Sequence, residues 1–272
     1  MSYFEKNNAK IYYEVLGDKN SSESVVFLNG VMASTSSWSE QVKAFEKLGY
    51  KIILHDFIGQ LKSDKIKDTY SFSDHARDLR DLLDYLKVES ANLIGTSYGG
   101  EVAMKFAILY PQYVDSLSII DSVSETDELM DAFIDSWVIA AEKLDGEDFF
   151  NVMAPSIYGN SFMKNNKEFL SSRAKNMNSI PKSYFKGQIK LYETFKNDVY
   201  MTDELHKIKA PTMIICGEED YLKRKKFSEI IHKNIDNSQY ITIPDSGHVT
   251  IFEKAKEVNA ILTGFIITNE IE

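Results

Sequence analysis

Cysteine, proline and glycine are all scarce in this chain, with one cysteine, five prolines and thirteen glycines among 272 residues. Because Cys216 is the only cysteine, an internal disulfide and a zinc site made of Cys-x-x-Cys pairs are both excluded. The sequence also lacks internal repeats and low-complexity stretches, which argues against two domains on a flexible linker. We therefore expect a chain with one large core that works in a reducing compartment.

Long apolar runs are missing as well. No stretch approaches the roughly 18 residues that span a bilayer, and the N-terminus lacks the apolar segment of roughly 7 to 15 residues found in secretion signals. The formal charge is −10, from 31 basic and 41 acidic side chains, which disfavours nucleic acid and anionic membranes as partners. We therefore expect a cytoplasmic protein whose partner is a small molecule.

Short apolar runs rich in β-branched residues recur along the chain, as is typical of buried strands. Helical periodicity separates several of them, most clearly after a capping box formed by Ser71 and Asp74. Residues 3–16 can add an antiparallel edge strand. This alternation predicts an α/β fold, a mainly parallel sheet with helices on both faces. The predicted strands are 25–28, 52–54, 92–94, 117–120, 212–215 and 240–243.

Between residues 123 and 200 the pattern becomes helical, without a convincing strand. We interpret this segment as an inserted helical cap, with residues 1–122 and 201–272 forming the core domain. The insertion is rich in aromatic residues, which either form its own core or line a pocket. We expect some of them to line a pocket. The candidates are Trp137, Phe149, Phe150, Tyr158, Phe162, Tyr184, Phe185, Tyr192 and Phe195.

A G-x-S-x-G motif extends from Gly95 to Gly99, between a predicted strand and a helical segment. This strand–turn–helix context displays a serine on a sharp, strained turn. Glycines two residues to either side remove the side chains that would collide there. The motif predicts Ser97 as a nucleophile, whereas the alternative is a glycine-rich connection without chemistry.

A serine hydroxyl needs a base, and the base needs a carboxylate that fixes its tautomer. His248 follows the last predicted strand, which puts it at the same sheet edge as Ser97, and His55 is the other histidine directly after a strand. Asp220 follows the fifth predicted strand and gives the chain order Ser, Asp, His. Asp121, at the end of the fourth, is the competing carboxylate. We expect a triad of Ser97, Asp220 and His248.

The negative oxygen of a tetrahedral intermediate needs preorganised N–H donors. The residue after the nucleophile supplies one of them, which here is Tyr98. A second should come from the loop after the first predicted strand, where Asn29-Gly30 allows close backbone approach, and we nominate Val31. An ordinary turn is the alternative for this loop.

Together these motifs resemble those of the α/β-hydrolase superfamily, in its serine-nucleophile branch with a helical cap. The resemblance implies a hydrolase that cleaves an ester, lactone or thioester through an acyl-enzyme, without a metal or organic cofactor. Asn29 stands where the family usually has histidine, and Ile58 and Leu61 replace its usual arginine and second glycine. Besides the serine motif, the matching segments are Asn29-Gly30 with Trp38, Asp56 to Asp64, Tyr110-Pro111, Gly217 to Asp220 and Gly247-His248.

Two alternatives to hydrolysis remain at this point. Asn29-Gly30 and Gly59-Gln60 are also similar to features of bacterial 3-hydroxyacyl-carrier-protein transferases of the rhamnolipid-precursor type. That similarity implies acyl transfer from a carrier protein or coenzyme A. Separately, the basic run Lys223 to Lys226 can hold an anionic partner near the active-site rim, such as a carrier-protein phosphopantetheine, a coenzyme A group or a substrate carboxylate. A solvated surface is the other explanation for this run. The second alternative is a non-catalytic relative that binds a small ligand.

Overall fold

The computed structural model describes residues 2–6, 9–65, 70–143 and 145–271. Within these residues, eight strands form one sheet in the order β1-β2-β4-β3-β5-β6-β7-β8, and all six predicted strands are confirmed. The strands are β1 Ser2–Lys6, β2 Ala9–Gly17, β3 Ser24–Leu28, β4 Lys51–His55, β5 Ala91–Thr96, β6 Val114–Ile120, β7 Thr212–Gly217 and β8 Ser238–Ile243.

The sheet is parallel from β4 to β8 and antiparallel at one edge. Strands β3 and β4, β3 and β5, β5 and β6, β6 and β7, and β7 and β8 all pair in parallel. The single edge strand expected over residues 3–16 is instead two antiparallel strands, β1 and β2, and β2 pairs with β4. In this pairing the ring centroids of Tyr3 and Tyr12 lie 5.5 Å apart. Residues 7 and 8 of the expected strand lie outside the described residues.

Helices cover both faces of this sheet. The capping box is confirmed, since the Asp74 N–H donates to Ser71 Oγ at 3.0 Å and the Ser71 N–H to Asp74 Oδ2 at 3.1 Å. No described helix has both the length and the apolarity to cross a bilayer. The helices are α1 Ser39–Lys47, α2 Phe72–Tyr85, α3 Tyr98–Leu109, α4 Glu128–Lys143, α5 Gly146–Ile157, α6 Asn160–Asn165, α7 Lys167–Met177, α8 Lys182–Asp198, α9 Lys225–Asn234, α10 Thr250–Glu253 and α11 Ala255–Ile271.

The alternation of side chains along β3 divides the core in two. Val25 and Phe27 belong to the apolar cluster that includes residues of α1 and α11. Val26 and Leu28 belong to the cluster that includes residues of α2, α3 and the α4–α8 region. Both faces of the strand are therefore buried, which explains why the central strands appear in the sequence as continuous apolar runs.

Helices α4 to α8 form a helical cap region above the carboxyl ends of the strands, and its described residues contain no strand. Its side chains continue the apolar cluster of α2 and α3 instead of forming a separate core. The domain boundaries at residues 123 and 200 stay a prediction.

Candidate active site

Three loops at the carboxyl ends of parallel strands bring Ser97, His248 and Asp220 together. They follow β5, β8 and β7 respectively, and all three side chains are buried. His248 Nε2 lies 2.9 Å from Ser97 Oγ, and His248 Nδ1 lies 2.8 Å from Asp220 Oδ2. A carboxylate on Nδ1 holds the proton there and leaves Nε2 free to accept one. The geometry therefore allows His248 to take the hydroxyl proton of Ser97.

Ser97 occupies a strained turn between β5 and α3. Its φ of 53° and ψ of −124° lie in a region that residues with a side chain rarely adopt. A Cβ added at Gly95 would lie 2.4 Å from the carbonyl oxygen of Gly99, and one at Gly99 would lie 2.0 Å from that of Leu28. Close backbone approach thus explains both glycines of the motif.

The charge state of His248 reflects two opposing influences. Burial lowers the pKa of the imidazole, but the carboxylates, chiefly Asp220 beside Nδ1, together outweigh it, and the pKa is raised above the ordinary 6.5. Asp121 adds to the rise, whereas Lys223 opposes it. The site therefore stabilises the imidazolium more than water does for an ordinary histidine, and the imidazolium is the form that a base takes after accepting a proton.

Asp121, the competing carboxylate, has different contacts. Its Oδ1 accepts the Gly217 N–H at 2.9 Å and its Oδ2 accepts the Thr250 N–H at 3.1 Å. Burial and the negative charge of Asp220 raise the pKa of Asp121 to about 7. Asp121 thus ties β6 to the loops that carry Asp220 and His248, and the contact with the imidazole is made by Asp220.

Three potential metal ligands lie within 4.8 Å of one another, with one atom each from Asp121, Asp220 and Cys216. All four carboxylate oxygens already accept hydrogen bonds within the protein. Those of Asp121 accept backbone N–H groups, Asp220 Oδ2 faces His248, and Asp220 Oδ1 accepts the N–H groups of Leu222 at 3.0 Å and Lys223 at 2.7 Å. Internal hydrogen bonding therefore explains why these groups lie together.

The two nominated N–H groups belong to residues that line the cavity beside Ser97. Tyr98 is the first residue of α3, so its N–H has no acceptor within the helix. Among the described residues, no backbone acceptor faces the N–H of Tyr98 or of Val31. A Cβ on Gly30 would lie 3.5 Å from the Cβ of Ser97, so this loop passes close to the serine.

Asn29 anchors that loop where the family usually has histidine. Its Oδ1 accepts the indole N–H of Trp38 at 2.8 Å, and its Nδ2 donates to the His55 carbonyl at 2.8 Å and to Gln60 Oε1 at 3.1 Å. Gln60 Nε2 in turn donates to the carbonyl of Gly30 at 2.7 Å. The departure from the family pattern is thus accommodated by a buried amide network. His55 contributes its backbone and not a catalytic side chain.

A cavity of about 380 Å³ lies beside Ser97 and His248, between the core and the cap region. This volume suits a small ligand. Two of the nine candidate aromatics, Phe149 and Phe185, contact each other instead of lining this cavity, with their ring centroids 5.3 Å apart. Six of the nine line the cavity as expected: Trp137, Phe150, Tyr158, Tyr184, Tyr192 and Phe195.

Arg173 on α7 is an exposed cation that borders the cavity, and the sequence reasoning did not single it out. Its positive charge acts on Tyr158 and Tyr184, and it partly offsets the burial that raises the pKa of both phenols. The other three arginines of the chain are paired with carboxylates, and among the described residues Arg173 has no such pair. The available signal was that Arg173 is the single arginine between residues 123 and 200.

The basic run after Asp220, suggested by the sequence as a contact for an anionic partner, lies among carboxylates of the same chain. Each of its four side chains lies within ion-pair distance of a carboxylate of the same chain. The four cations share three carboxylates, so the pairing reduces the positive charge that this run offers to an anionic partner. The pairs are Lys223 with Glu101 at 2.8 Å, Lys225 with Glu229 at 3.8 Å, and both Arg224 and Lys226 with Asp127.

The end of α5 is bonded directly to the segment that carries His248. The His248 N–H donates to the carbonyl of Ile157 at 2.7 Å. The Glu253 carboxylate accepts the N–H of Gly159 at 3.1 Å and that of Gly247 at 3.0 Å. The cap region and the loop of His248 therefore share hydrogen bonds at the cavity wall.

Comparison with known proteins agrees with this architecture. The family described as alpha/beta hydrolase fold matches residues 23–255. The 2-hydroxy-6-oxononadienedioate/2-hydroxy-6-oxononatrienedioate hydrolase of Paraburkholderia phymatum is 28% identical over 256 residues, which cover 90% of this chain and 87% of the relative. The 3-oxoadipate enol-lactonase 1 of Acinetobacter baylyi is 24% identical, covering 93% and 91%.

A solved alpha/beta hydrolase enzyme from a Medee basin deep-sea metagenome library superposes with a TM-score of 0.92 at 29% identity, covering 97% of this chain and 96% of that one. The family match extends over most of the chain and includes the strands that carry Ser97, Asp220 and His248. The protein therefore belongs to the α/β-hydrolase fold family and is a hydrolase.

Proposed function

We propose that the protein hydrolyses a small carboxylic ester, lactone or thioester through an acyl-enzyme on Ser97. The observation that carries this proposal is the continuous hydrogen-bond line from Ser97 Oγ through His248 to Asp220, beside the cavity. A hydroxyl within reach of a base, with the base oriented by a carboxylate, is the arrangement that nucleophilic acyl transfer needs.

In the proposed reaction Ser97 Oγ bonds to the substrate carbonyl carbon while its proton passes to His248 Nε2. The N–H groups of Tyr98 and Val31 donate to the resulting oxyanion, and Asp220 stabilises the imidazolium. The bond to the leaving group then breaks, and the leaving group takes the proton from His248. Water attacks the acyl-serine in the same way, which releases the acid and returns the proton to Ser97.

The test is hydrolysis of p-nitrophenyl esters of increasing acyl length, together with labelling by a fluorophosphonate. Ser97→Ala is expected to lose both activities and keep the wild-type melting temperature. Ser39→Ala is the matched control, because Ser39 also lines the cavity but lies outside the triad. Wild-type rates in Ser97→Ala would refute the nucleophile. A wild-type protein that neither labels nor hydrolyses would favour ligand binding without catalysis.

The choice between hydrolysis and acyl transfer is tested in the same assay by adding an alcohol. Hydrolysis predicts that the free acid remains the main product as the alcohol concentration rises. A transferase would form the new ester in preference to the acid. The pairing of the cations in the run 223–226 supports hydrolysis, because it reduces the positive charge suggested for holding an acyl carrier.

The proposal extends to the class of substrate, which we expect to carry a carboxylate remote from the cleaved carbonyl. Arg173 supports this extension, since it supplies a positive charge to a cavity whose other walls are largely aromatic and aliphatic. A guanidinium pairs strongly with a carboxylate. The names of both relatives above specify substrates derived from dicarboxylic acids.

The substrate class is tested with a matched pair of esters, p-nitrophenyl butyrate and mono-p-nitrophenyl glutarate. Arg173→Met is expected to raise KM for the glutarate about tenfold and to leave KM for the butyrate nearly unchanged. Lys175→Met is the control, because Lys175 is an equally charged and exposed residue of the same helix that does not border the cavity. An equal effect of Arg173→Met on both esters would show that the arginine does not recognise the carboxylate.

A further inference from the structure

Glu101 and Lys223 form a buried ion pair close to the triad. Lys223 Nζ lies 2.8 Å from both carboxylate oxygens of Glu101, and the two side chains are 5% and 0% exposed respectively. Removing two charges from water is costly and is offset only by excellent geometry and further hydrogen bonds. The proposed reaction uses neither charge, so the position of the pair calls for a separate explanation.

Glu101 connects the pair to the nucleophile. It lies in the first turn of α3, and its N–H donates to the carbonyl of Ser97 at 3.2 Å. Its Oε1 also accepts the N–H of Val123, just beyond β6, at 2.9 Å. The carboxylate is therefore fixed to the helix that begins beside Ser97 and to the end of the neighbouring strand.

Lys223 connects the pair to the triad carboxylate. Its own N–H donates to Asp220 Oδ1 at 2.7 Å, so the backbone of this residue holds one oxygen while the other faces His248. Its ammonium lies 4.7 Å from the centroid of the Phe195 ring on α8. The lysine thus connects the loop of Asp220 to two other elements. Its ammonium pairs with Glu101 on α3 and contacts the aromatic face of Phe195 on α8 in the cap region.

We propose that Glu101 and Lys223 are positioning residues whose ion pair fixes the loop of Asp220 relative to the helix that begins beside Ser97. Alignment of the triad then depends on a contact between two residues that belong neither to the triad nor to the proposed oxyanion donors. This inference rests on the proposed serine mechanism. It also explains why Lys223, although it borders the cavity, offers no free charge there: Glu101 and the Phe195 ring already occupy its ammonium.

The experiment compares wild type with Lys223→Met and with the double variant Glu101→Gln/Lys223→Met. The single variant leaves a buried carboxylate unpaired and is expected to lower the melting temperature strongly. The double variant removes both charges and is expected to melt close to wild type. The matched control is Lys225→Met/Glu229→Gln, which makes the same changes in an exposed pair on α9.

Two kinetic measurements distinguish a positioning role of the ion pair from a purely structural one. In the double variant we expect kcat for a p-nitrophenyl ester to fall about tenfold with KM nearly constant, because small displacements of catalytic groups slow the chemical step more than binding. The rate of Ser97 labelling by a fluorophosphonate should fall in parallel, since labelling needs the aligned triad but little of the substrate pocket. The control pair should leave both values unchanged.

The outcomes distinguish this inference from the proposed function. A wild-type protein that labels and hydrolyses, together with a double variant that folds and has wild-type kcat and labelling rate, would overturn the positioning role alone. A rise in KM with constant kcat would overturn it as well, since it would assign the pair to the pocket. A wild-type protein without either activity would overturn both the mechanism and the inference.

Discussion

The side-chain amide of Gln60 donates a 2.7 Å hydrogen bond to the carbonyl oxygen of Gly30, one residue before the proposed oxyanion donor Val31. Gln60→Leu removes this bond, whereas Asn29 keeps its bonds to Trp38 and to the His55 carbonyl. We expect kcat to fall about tenfold, less than the loss of a whole oxyanion donor, with little change in KM. Steady-state kinetics on a p-nitrophenyl ester measures the effect.

Gln188 offers the control for this prediction. It is fully buried, and among the described residues neither polar atom of its amide has a hydrogen-bond partner. Gln188→Leu should therefore keep wild-type kcat and raise the free energy of unfolding by about 1 kcal/mol. Equal kinetics in Gln60→Leu and Gln188→Leu would contradict a role for Gln60 in the oxyanion loop.

Gly99→Ala is expected to destabilise the protein severely. The new methyl group would meet the carbonyl oxygen of Leu28 at 2.0 Å, which neither strand β3 nor the serine turn can relieve without moving. We expect a loss of several kcal/mol or insoluble expression. Gly264→Ala is the matched control: it lies in α11 with no atom within 4 Å of the added carbon, and alanine should stabilise the helix by about 1 kcal/mol. Thermal unfolding compares the two.

Asparagine substitutions distinguish the two carboxylates near His248. Asp220→Asn removes the charge that fixes the imidazole tautomer, and we expect kcat to fall by about 10⁴ with folding retained. Asp121→Asn places an amide against two backbone N–H groups, so the main loss should be about 1–3 kcal/mol of stability. A larger loss of kcat from Asp121→Asn than from Asp220→Asn would reverse the assignment of the triad acid.

His55 and His75 make the fold sensitive to acid. Burial lowers the pKa of His55 from 6.5 to about 4 and that of His75 to about 3. Below pH 6.5 the unfolded chain therefore binds protons that the folded protein does not, and stability is lost as the pH falls from 6.5 towards 4. Each histidine should contribute a slope of about 1.4 kcal/mol per pH unit in this window.

Urea unfolding across this pH range measures the effect. The free energy of unfolding of His75→Leu should depend less on pH than that of wild type, by the slope expected for one histidine. His206→Gln, at an exposed position, should leave the dependence unchanged. A His75→Leu protein with the wild-type slope would show that His75 is not the buried neutral group inferred here.

Most of the fold could be predicted from local patterns in the sequence. Apolar runs of β-branched residues located the central strands, and the glycines around Ser97 located the strained turn, because both depend on contacts close along the chain. The chain reversal between β1 and β2 was missed, since alternating residues 3–16 are compatible with one long strand. Local periodicity does not specify where such a strand turns back.

Ion pairs between residues far apart in the chain could not be predicted from the sequence. Lys223 and Glu101 are 122 residues apart, and their contact depends on how α3 packs against the loop after β7. In the sequence Lys223 is one member of a basic run, whereas in the fold it is buried. Arg173 shows the converse, because its lack of an ion pair among the described residues emerges only when the positions of the acidic side chains are known.

The hydrogen bond from His248 to Ile157 limits how substrate preference can be altered by exchanging parts between relatives. A chimaera that replaces the whole helical region would import a foreign partner for the backbone of His248, the proposed catalytic base, and with it a new orientation of the imidazole. Exchange restricted to α7 would replace Arg173 and keep both the segment from Ile157 to Gly159 and the Phe195 ring that contacts Lys223. The parts of the helical region are therefore unequal, and α7 can be exchanged with the least disturbance of His248.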